Sequence, residues 1–156
     1  GRRPEWVLAR RAPRLARAAI AAQRPLLRHR PGLVRAGFVA TLSPPDRAIV
    51  HSDPGLAERG IEMGIEATRQ GGTGLVEDLR AVMRPWGFGL EEIGAPTVVW
   101  QGDRDGSIPF HWGARLASSI PGASLRACAG DGHLLIASRI DEILAELVRR
   151  PAPATP

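Results

Sequence analysis

Two short segments of the chain combine residue types that could share one acid–base reaction. Asp105 lies in QGDRDGSIP, just after an apolar run, and His133 lies in CAGDGHLLI, after a second short run. A carboxylate that accepts a hydrogen bond from one imidazole nitrogen fixes the ring tautomer and stabilises the imidazolium. The other nitrogen can then take a proton from a nucleophile. We therefore predict that Asp105 orients His133 as a general base.

Such a pair needs elements that end at one edge of a sheet. The run 97–101 is apolar and β-branched and closes at a glycine, which is typical of a buried parallel strand, and 124–128 is predicted as the next strand. A helix beginning near Pro109 separates them, and an amphipathic helix over 138–150 follows. This order predicts an α/β fold with a parallel sheet whose site lies at the carboxyl ends of the strands. Because two strands make a poor sheet, further neighbouring strands are expected.

The first part of the chain shows helical patterns instead of strands. Residues 5–40 form short helical patterns broken by proline, and longer helices are predicted over about 54–70 and over 75–83. No strand is evident before residue 95. The sequence therefore predicts three regions, which are a helical region at 1–70, a sheet-bearing region at 71–150 and a disordered Pro/Ala tail at 151–156.

The acid and histidine motifs resemble those of the α/β-hydrolase fold family. In that family the acid follows a strand in the pattern G-x-x-D-x-x-x-P, here Gly102 to Pro109, and the histidine follows the last strand as Gly-His, here Gly132 and His133. The Trp-Gly-Phe stretch at 86–88 is also similar to a bacterial branch of the family. The resemblance implies the C-terminal part of an α/β-hydrolase parallel sheet, preceded by a helical cap (lid) region over the site.

The nucleophile motif of that family is absent from the sequence. No G-x-S-x-G elbow occurs, and in the family the elbow, the oxyanion-hole loop and the first strands precede the cap. Because the sequence begins with Gly1, we expect it to be the C-terminal half of a hydrolase of roughly 250 to 300 residues. The resemblance implies hydrolysis of an ester- or amide-type bond by a Ser-His-Asp triad, with no cofactor or metal. An aspartate nucleophile stays open, and the chain by itself is predicted to be inactive.

Alternatives exist for the acid and for the substrate pocket. Asp103 lies nearer the strand than Asp105 and could be the acid, although the family pattern favours Asp105. Ile108 and Leu134, beside the two catalytic candidates, are predicted to line the pocket for a small-molecule substrate, and Trp86 is predicted to lie near the cap and the site.

The other candidate residues are interpreted as structural. Ser52 stands between a histidine and an aspartate, but consecutive side chains do not converge, so this segment is predicted to start a helix. Cys128, the single cysteine, is predicted to be buried and inert. Three histidines have no acid or nucleophile at a telling spacing and are assigned to the surface or to packing: His29, His51 and His111.

The charge of the chain leaves two alternative functions open. The net charge is +5, all 21 basic residues are arginine, and ten of them lie within residues 1–35. A solvated helical face explains this block, since no series of aromatic side chains accompanies it to stack bases. The alternatives are a basic nucleic-acid-binding helical module and a non-catalytic remnant that binds a partner. The expected partner is the missing N-terminal half of the same fold. No membrane segment or leader is evident, so a cytoplasmic location is predicted.

Overall fold

The computed structural model describes residues 4–149, which fall into two compact units. Within the described residues, the first unit, here called the helical unit, comprises 4–41 and Asp53–Trp86. The second, here called the sheet unit, comprises Leu42–Ser52 and 87–149. The tail predicted at 151–156 lies outside the described residues.

Helices make up the described part of the helical unit, and proline begins most of them. Proline suits the first helical position because its φ is already helical and no N–H is needed there. The prolines that divide the sequence are therefore helix starts. The helices are α1 (Pro4–Arg11), α2 (Pro13–Ala21), α3 (Arg24–His29), α4 (Pro31–Thr41), α6 (Pro54–Ala67) and α7 (Thr73–Val82), while α5 (Pro44–Ser52) belongs to the sheet unit.

The core of the helical unit joins its first helices to α7. Val76 of α7 is fully buried together with Ala9 of α1 and Ala16 of α2. Small side chains let these helices approach closely, and Arg17 Nη2 donates a hydrogen bond to Glu77 Oε1 at 2.6 Å. The helical unit includes α7 and extends to residue 86, and the boundary between predicted regions at residue 70 stays a prediction.

The sheet unit contains the two predicted strands and the two helices that follow them. Strands β1 (Val98–Gly102) and β2 (Ser124–Cys128) pair in parallel, with helix α8 (Phe110–Ser119) between them and α9 (Leu135–Arg149) after them. Gly102 at the end of β1 stands opposite Cys128 at the end of β2. The predicted strands and their parallel order are confirmed, and the described residues before 98 contain no strand.

Helix α9 begins before its predicted start at residue 138. Its backbone leaves helical geometry at Arg139, where φ is −121° and ψ is 15°, so a short first turn precedes the main helix. The Arg139 guanidinium is paired with the carboxylates of Asp131 and Glu142, which ties the helix start to the preceding loop. None of the helices between residues 4 and 149 is long and apolar enough to cross a membrane.

Candidate active site

The carboxyl ends of β1 and β2 bring Asp105 and His133 into contact. His133 Nδ1 lies 3.0 Å from Asp105 Oδ2, although the two residues are 28 positions apart. The Asp105 side chain is 5% exposed and the His133 side chain is 47% exposed. Among residues 4–149, no hydrogen-bond partner engages the opposite ring nitrogen, Nε2. One ring nitrogen, Nδ1, therefore contacts a buried carboxylate, and the other, Nε2, is open to a reactant.

The loop after β1 holds the Asp105 carboxylate in its ionised form. Asp105 Oδ1 accepts hydrogen bonds from the backbone N–H groups of Ser107, at 2.7 Å, and Ile108, at 2.8 Å. Burial raises the pKa of Asp105, but the hydrogen bonds from Ile108, His133 and Ser107 outweigh it, so the pKa lies below its ordinary value. At neutral pH the carboxylate is thus charged and stabilises a protonated His133.

Gln101, a buried residue of β1, also contacts Asp105, and the sequence analysis did not predict this contact. Its side-chain Nε2 lies 3.2 Å from Asp105 Oδ2 and 3.2 Å from the carbonyl oxygen of Ile108. Both neighbours are acceptors, which identifies the atom as the amide nitrogen. Helix α8 makes room for this side chain at Gly113, where a Cβ would lie 2.7 Å from Gln101 Oε1. Gln101 therefore fixes the acid from the strand side.

Replacing Gln101 by methionine should raise the pKa of Asp105 and destabilise the sheet unit. Methionine has a similar size but no N–H donor, so the ionised Asp105 loses one hydrogen bond and the Ile108 carbonyl loses its partner. We expect the free energy of unfolding to fall by about 1–3 kcal/mol. The pKa is measured by ¹³C NMR titration of the carboxyl carbon, and the stability by denaturant unfolding.

Two further variants control this experiment. Gln101→Glu places a second carboxyl group beside Asp105 and should raise its pKa more than methionine does, because like charges disfavour ionisation. The same methionine substitution at Gln23, an exposed residue of the helical unit, should leave the pKa of Asp105 unchanged. A pKa of Asp105 that is the same in all four proteins would show that Gln101 does not support the acid.

The loop that carries His133, residues 129–134 and here called the histidine loop, is linked to the end of β1 by hydrogen bonds. Asp103 Oδ1 accepts the N–H of Gly130 at 2.7 Å, and the Arg104 N–H donates to the carbonyl oxygen of Asp131 at 2.9 Å. Gly130 has a φ of 80°, in the left-handed region that favours glycine. A Cβ at Gly102 would lie 2.4 Å from the Asp131 carbonyl oxygen, so only glycine allows this approach. Asp103 thus joins the two loops, whereas Asp105 contacts His133.

The comparisons with known proteins give a match to solved structures. No family model and no curated protein matches the chain. The chain is similar to a bromoperoxidase from Bacillus anthracis, with 18% identity, a TM-score of 0.53, 83% of this chain covered and 46% of that one. It is also similar to a thermophilic esterase from Thermogutta terrifontis, with 21% identity, a TM-score of 0.54, 85% of this chain covered and 48% of that one. A hydrolase from Pseudomonas aeruginosa PA01 matches with 21% identity, a TM-score of 0.55, 92% of this chain covered and 58% of that one.

This chain has the fold of the C-terminal part of an α/β-hydrolase. It spans about half the length of the structures that it matches. The fold predicted from the acid and histidine motifs is confirmed. At these identities the likeness concerns the fold, and the roles of individual residues rest on the geometry of this chain.

The predicted pocket residues of this α/β-hydrolase fold lie in different units. Ile108 and Leu134 belong to the sheet unit, and each of them uses its backbone N–H to contact a carboxylate, Asp105 for Ile108 and Asp46 for Leu134. Trp86 belongs to the helical unit, where it is 62% exposed and its Nε1 donates to the Val82 carbonyl oxygen at 3.4 Å. The substrate contacts of all three side chains stay predictions.

In the part of the chain that the structure describes, the cysteine, Ser52 and the other histidines lie in surroundings that give them no hydrogen bond to the acid–histidine pair. Cys128 is buried at the end of β2, and burial raises the pKa of its thiol, which disfavours the reactive thiolate. The Ser52 hydroxyl donates to the carbonyl oxygen of Ile49 at 2.9 Å. Within the described residues, no group of three or more His, Cys, Asp or Glu is placed to hold a metal ion. Three histidines are exposed and form no hydrogen bond to an acidic side chain within 4–149: His29, His51 and His111.

Proposed function

We propose that Asp105 and His133 are the acid and base of a hydrolase that cleaves an ester- or amide-type bond in a small-molecule substrate. The observation that carries the proposal is the 3.0 Å hydrogen bond between Asp105 Oδ2 and His133 Nδ1, with Nε2 left open. The similarity to a thermophilic esterase and to a second hydrolase supports the same reaction class.

In this mechanism His133 moves one proton in each half of the reaction. Its Nε2 takes the proton of a serine hydroxyl as the oxygen attacks the acyl carbonyl, and the charged Asp105 stabilises the resulting imidazolium. The imidazolium then protonates the leaving group, which departs and leaves an acyl-enzyme. In the second half His133 takes a proton from water, the hydroxide attacks the ester, and the serine regains its proton.

The nucleophile is proposed to lie in a segment of the protein outside this chain. Within residues 4–149, no hydroxyl or thiol is hydrogen-bonded to His133 Nε2, and Cys128 is buried with a raised pKa. A serine nucleophile is the primary proposal, and an aspartate nucleophile, for which His133 would activate only water, is the alternative. We further propose that the helical unit is the cap that limits substrate size. The cytoplasmic location stays a prediction.

The test compares ester hydrolysis by the full-length protein with hydrolysis by this chain. Here the full-length protein means this chain together with the segment that supplies the nucleophile. On p-nitrophenyl esters of increasing acyl length, the full-length protein should turn over, while residues 1–156 alone should stay at the uncatalysed rate. Turnover by the chain alone that His133→Ala abolishes would place the nucleophile within it. A full-length protein that is inactive on esters and amides would contradict the proposal.

A further inference from the structure

Helix α5 contributes a buried carboxylate that the mechanism above does not use. The Asp46 side chain is 2% exposed, which makes it one of the most deeply buried side chains among the described residues. Burying a carboxylate is unfavourable unless hydrogen bonds compensate for the lost water. Asp46 Oδ2 accepts the hydroxyl of Ser43 at 2.5 Å, and Oδ1 accepts the backbone N–H of Leu134 at 2.7 Å. The second contact links α5 to the residue that follows His133.

The residue that precedes His133 also lies against Asp46. A Cβ built on Gly132 would lie 2.2 Å from Asp46 Oδ1 and 2.5 Å from Oδ2, and its three nearest neighbours are all atoms of that carboxyl group. A side chain at position 132 would therefore displace the Asp46 carboxyl group from its present position. Both peptide neighbours of His133 thus contact Asp46.

The other side of the loop is in contact with the end of β1. Gly102 lies against the carbonyl oxygens of both Asp131 and Gly132. A Cβ built on Gly102 would lie 2.6 Å from the Gly132 carbonyl oxygen. The peptide units on the N-terminal side of His133 are thus confined between β1 on one side and Asp46 on the other. A small shift of this loop would lengthen the 3.0 Å bond between His133 and Asp105.

We propose that Asp46 is a positioning residue, which fixes the histidine loop from α5 so that His133 Nδ1 faces Asp105 and Nε2 faces the reactant. This inference rests on the proposed function for its effect on catalysis. A carboxylate suits the position because both groups that face it, the Ser43 hydroxyl and the Leu134 N–H, donate. Asparagine would keep one acceptor for Leu134, and its amide could donate to the Ser43 oxygen instead.

The test uses the full-length protein with Asp46→Ala and the conservative variant Asp46→Asn. Asp46→Ala should lower kcat by about 10- to 100-fold with little change in KM, because the base is displaced and the substrate contacts are kept. Asp46→Asn should restore most of kcat. Asp141→Ala, which removes an exposed aspartate of the same unit, should leave kcat unchanged.

Two NMR signals report on the loop without any turnover. In Asp46→Ala the Leu134 amide should exchange faster with solvent, and the low-field proton of the His133–Asp105 hydrogen bond should weaken or disappear. If both signals change while the wild-type protein shows no hydrolysis, the proposed function fails and the positioning role stands. If both signals and kcat are unchanged in Asp46→Ala, the positioning role is overturned.

A glycine variant provides the test if Asp46→Ala does not fold. Gly132→Ala leaves α5 intact but inserts a methyl group against the carboxylate, so it should lower kcat and weaken the low-field proton. Where the double variant folds, Gly132→Ala should lower kcat by a smaller factor in the Asp46→Ala background than in the wild type, because the methyl group then meets no carboxylate. Unchanged kcat and an unchanged proton signal in Gly132→Ala would overturn the proposal.

Discussion

Replacing His133 by alanine in the full-length protein should lower kcat by about a millionfold, while KM changes little. In the proposed mechanism the imidazole takes the proton from the nucleophile and returns it to the leaving group, so its removal impairs both steps. Its Nδ1 lies 3.0 Å from Asp105 Oδ2, and alanine keeps neither this contact nor a group that can accept a proton. The remaining rate reflects substrate binding and the rest of the site.

This loss is measured by steady-state hydrolysis of p-nitrophenyl esters. His111→Ala is a matched control, because His111 is an exposed histidine of the same unit that stacks edge-on against Trp112. It should retain wild-type kcat. A His133→Ala protein that keeps more than about one hundredth of wild-type kcat would be incompatible with His133 as the general base, which alone contributes 10²-fold or more.

Replacing Asp105 by asparagine should lower kcat by about 10⁴-fold without disturbing the loop. The asparagine oxygen can still accept the N–H groups of Ser107 and Ile108, so the turn is kept. Its amide NH₂ then takes the place of Oδ2, so the hydrogen bond from Gln101 Nε2 is lost and His133 Nδ1 must become an acceptor. The proton moves to Nε2, and that nitrogen can no longer deprotonate the nucleophile. Steady-state kcat, together with ¹⁵N NMR of the imidazole tautomer, checks both parts of this expectation.

The same variant should also differ from the wild type in how its free energy of unfolding depends on pH. The pKa of Asp105 lies below its ordinary value in the folded protein, so its ionised form stabilises the fold above the unfolded pKa. That contribution is lost as the pH falls through the folded pKa. The difference in free energy of unfolding between wild type and Asp105→Asn should therefore be full above the unfolded pKa of the carboxyl group and shrink towards about pH 3. Asp78→Asn, an exposed change in α7, should show no such dependence.

Local sequence patterns were sufficient to predict the strands and the acid–histidine pair. The run that ends at Gly102 and the strand that ends at Cys128 have the length and composition of parallel strands, and parallel strands present their carboxyl ends at one edge. Residues in the loops after the two strands therefore meet. The topology places the two loops together, and the family pattern favoured Asp105 over Asp103 as the acid, so no detail of side-chain packing was needed to predict the pair.

The supporting residues could not be predicted from spacing. Asp46 contacts Leu134 across 88 positions, and nothing near Asp46 in sequence marks it as part of the histidine loop. Gln101 lies inside a predicted strand, where a polar side chain indicates a buried hydrogen bond but does not show which group is its partner. The one available signal for Asp46 was Gly132, because a glycine before the histidine indicates a close approach by another group.

The division into units also depends on contacts between distant segments. Helix α7 has a clear apolar face in the sequence, but periodicity does not say which helix covers it. Val76 packs with Ala9 and Ala16, and α7 belongs to the helical unit. Conversely, α5 lies between helical-unit segments in sequence and belongs to the sheet unit, where Asp46 reaches the histidine loop.

The central claim is that Asp105 and His133 activate a serine that lies outside residues 1–156. The most direct measurement is to label the full-length protein with a fluorophosphonate, which forms a covalent adduct with activated serines, and to locate the adduct by mass spectrometry. We predict a single adduct on a serine outside these 156 residues. Its rate of formation should fall in His133→Ala and in Asp105→Asn. An adduct within residues 1–156, or a labelling rate that is unchanged in His133→Ala, would contradict the claim, and so would the absence of any adduct.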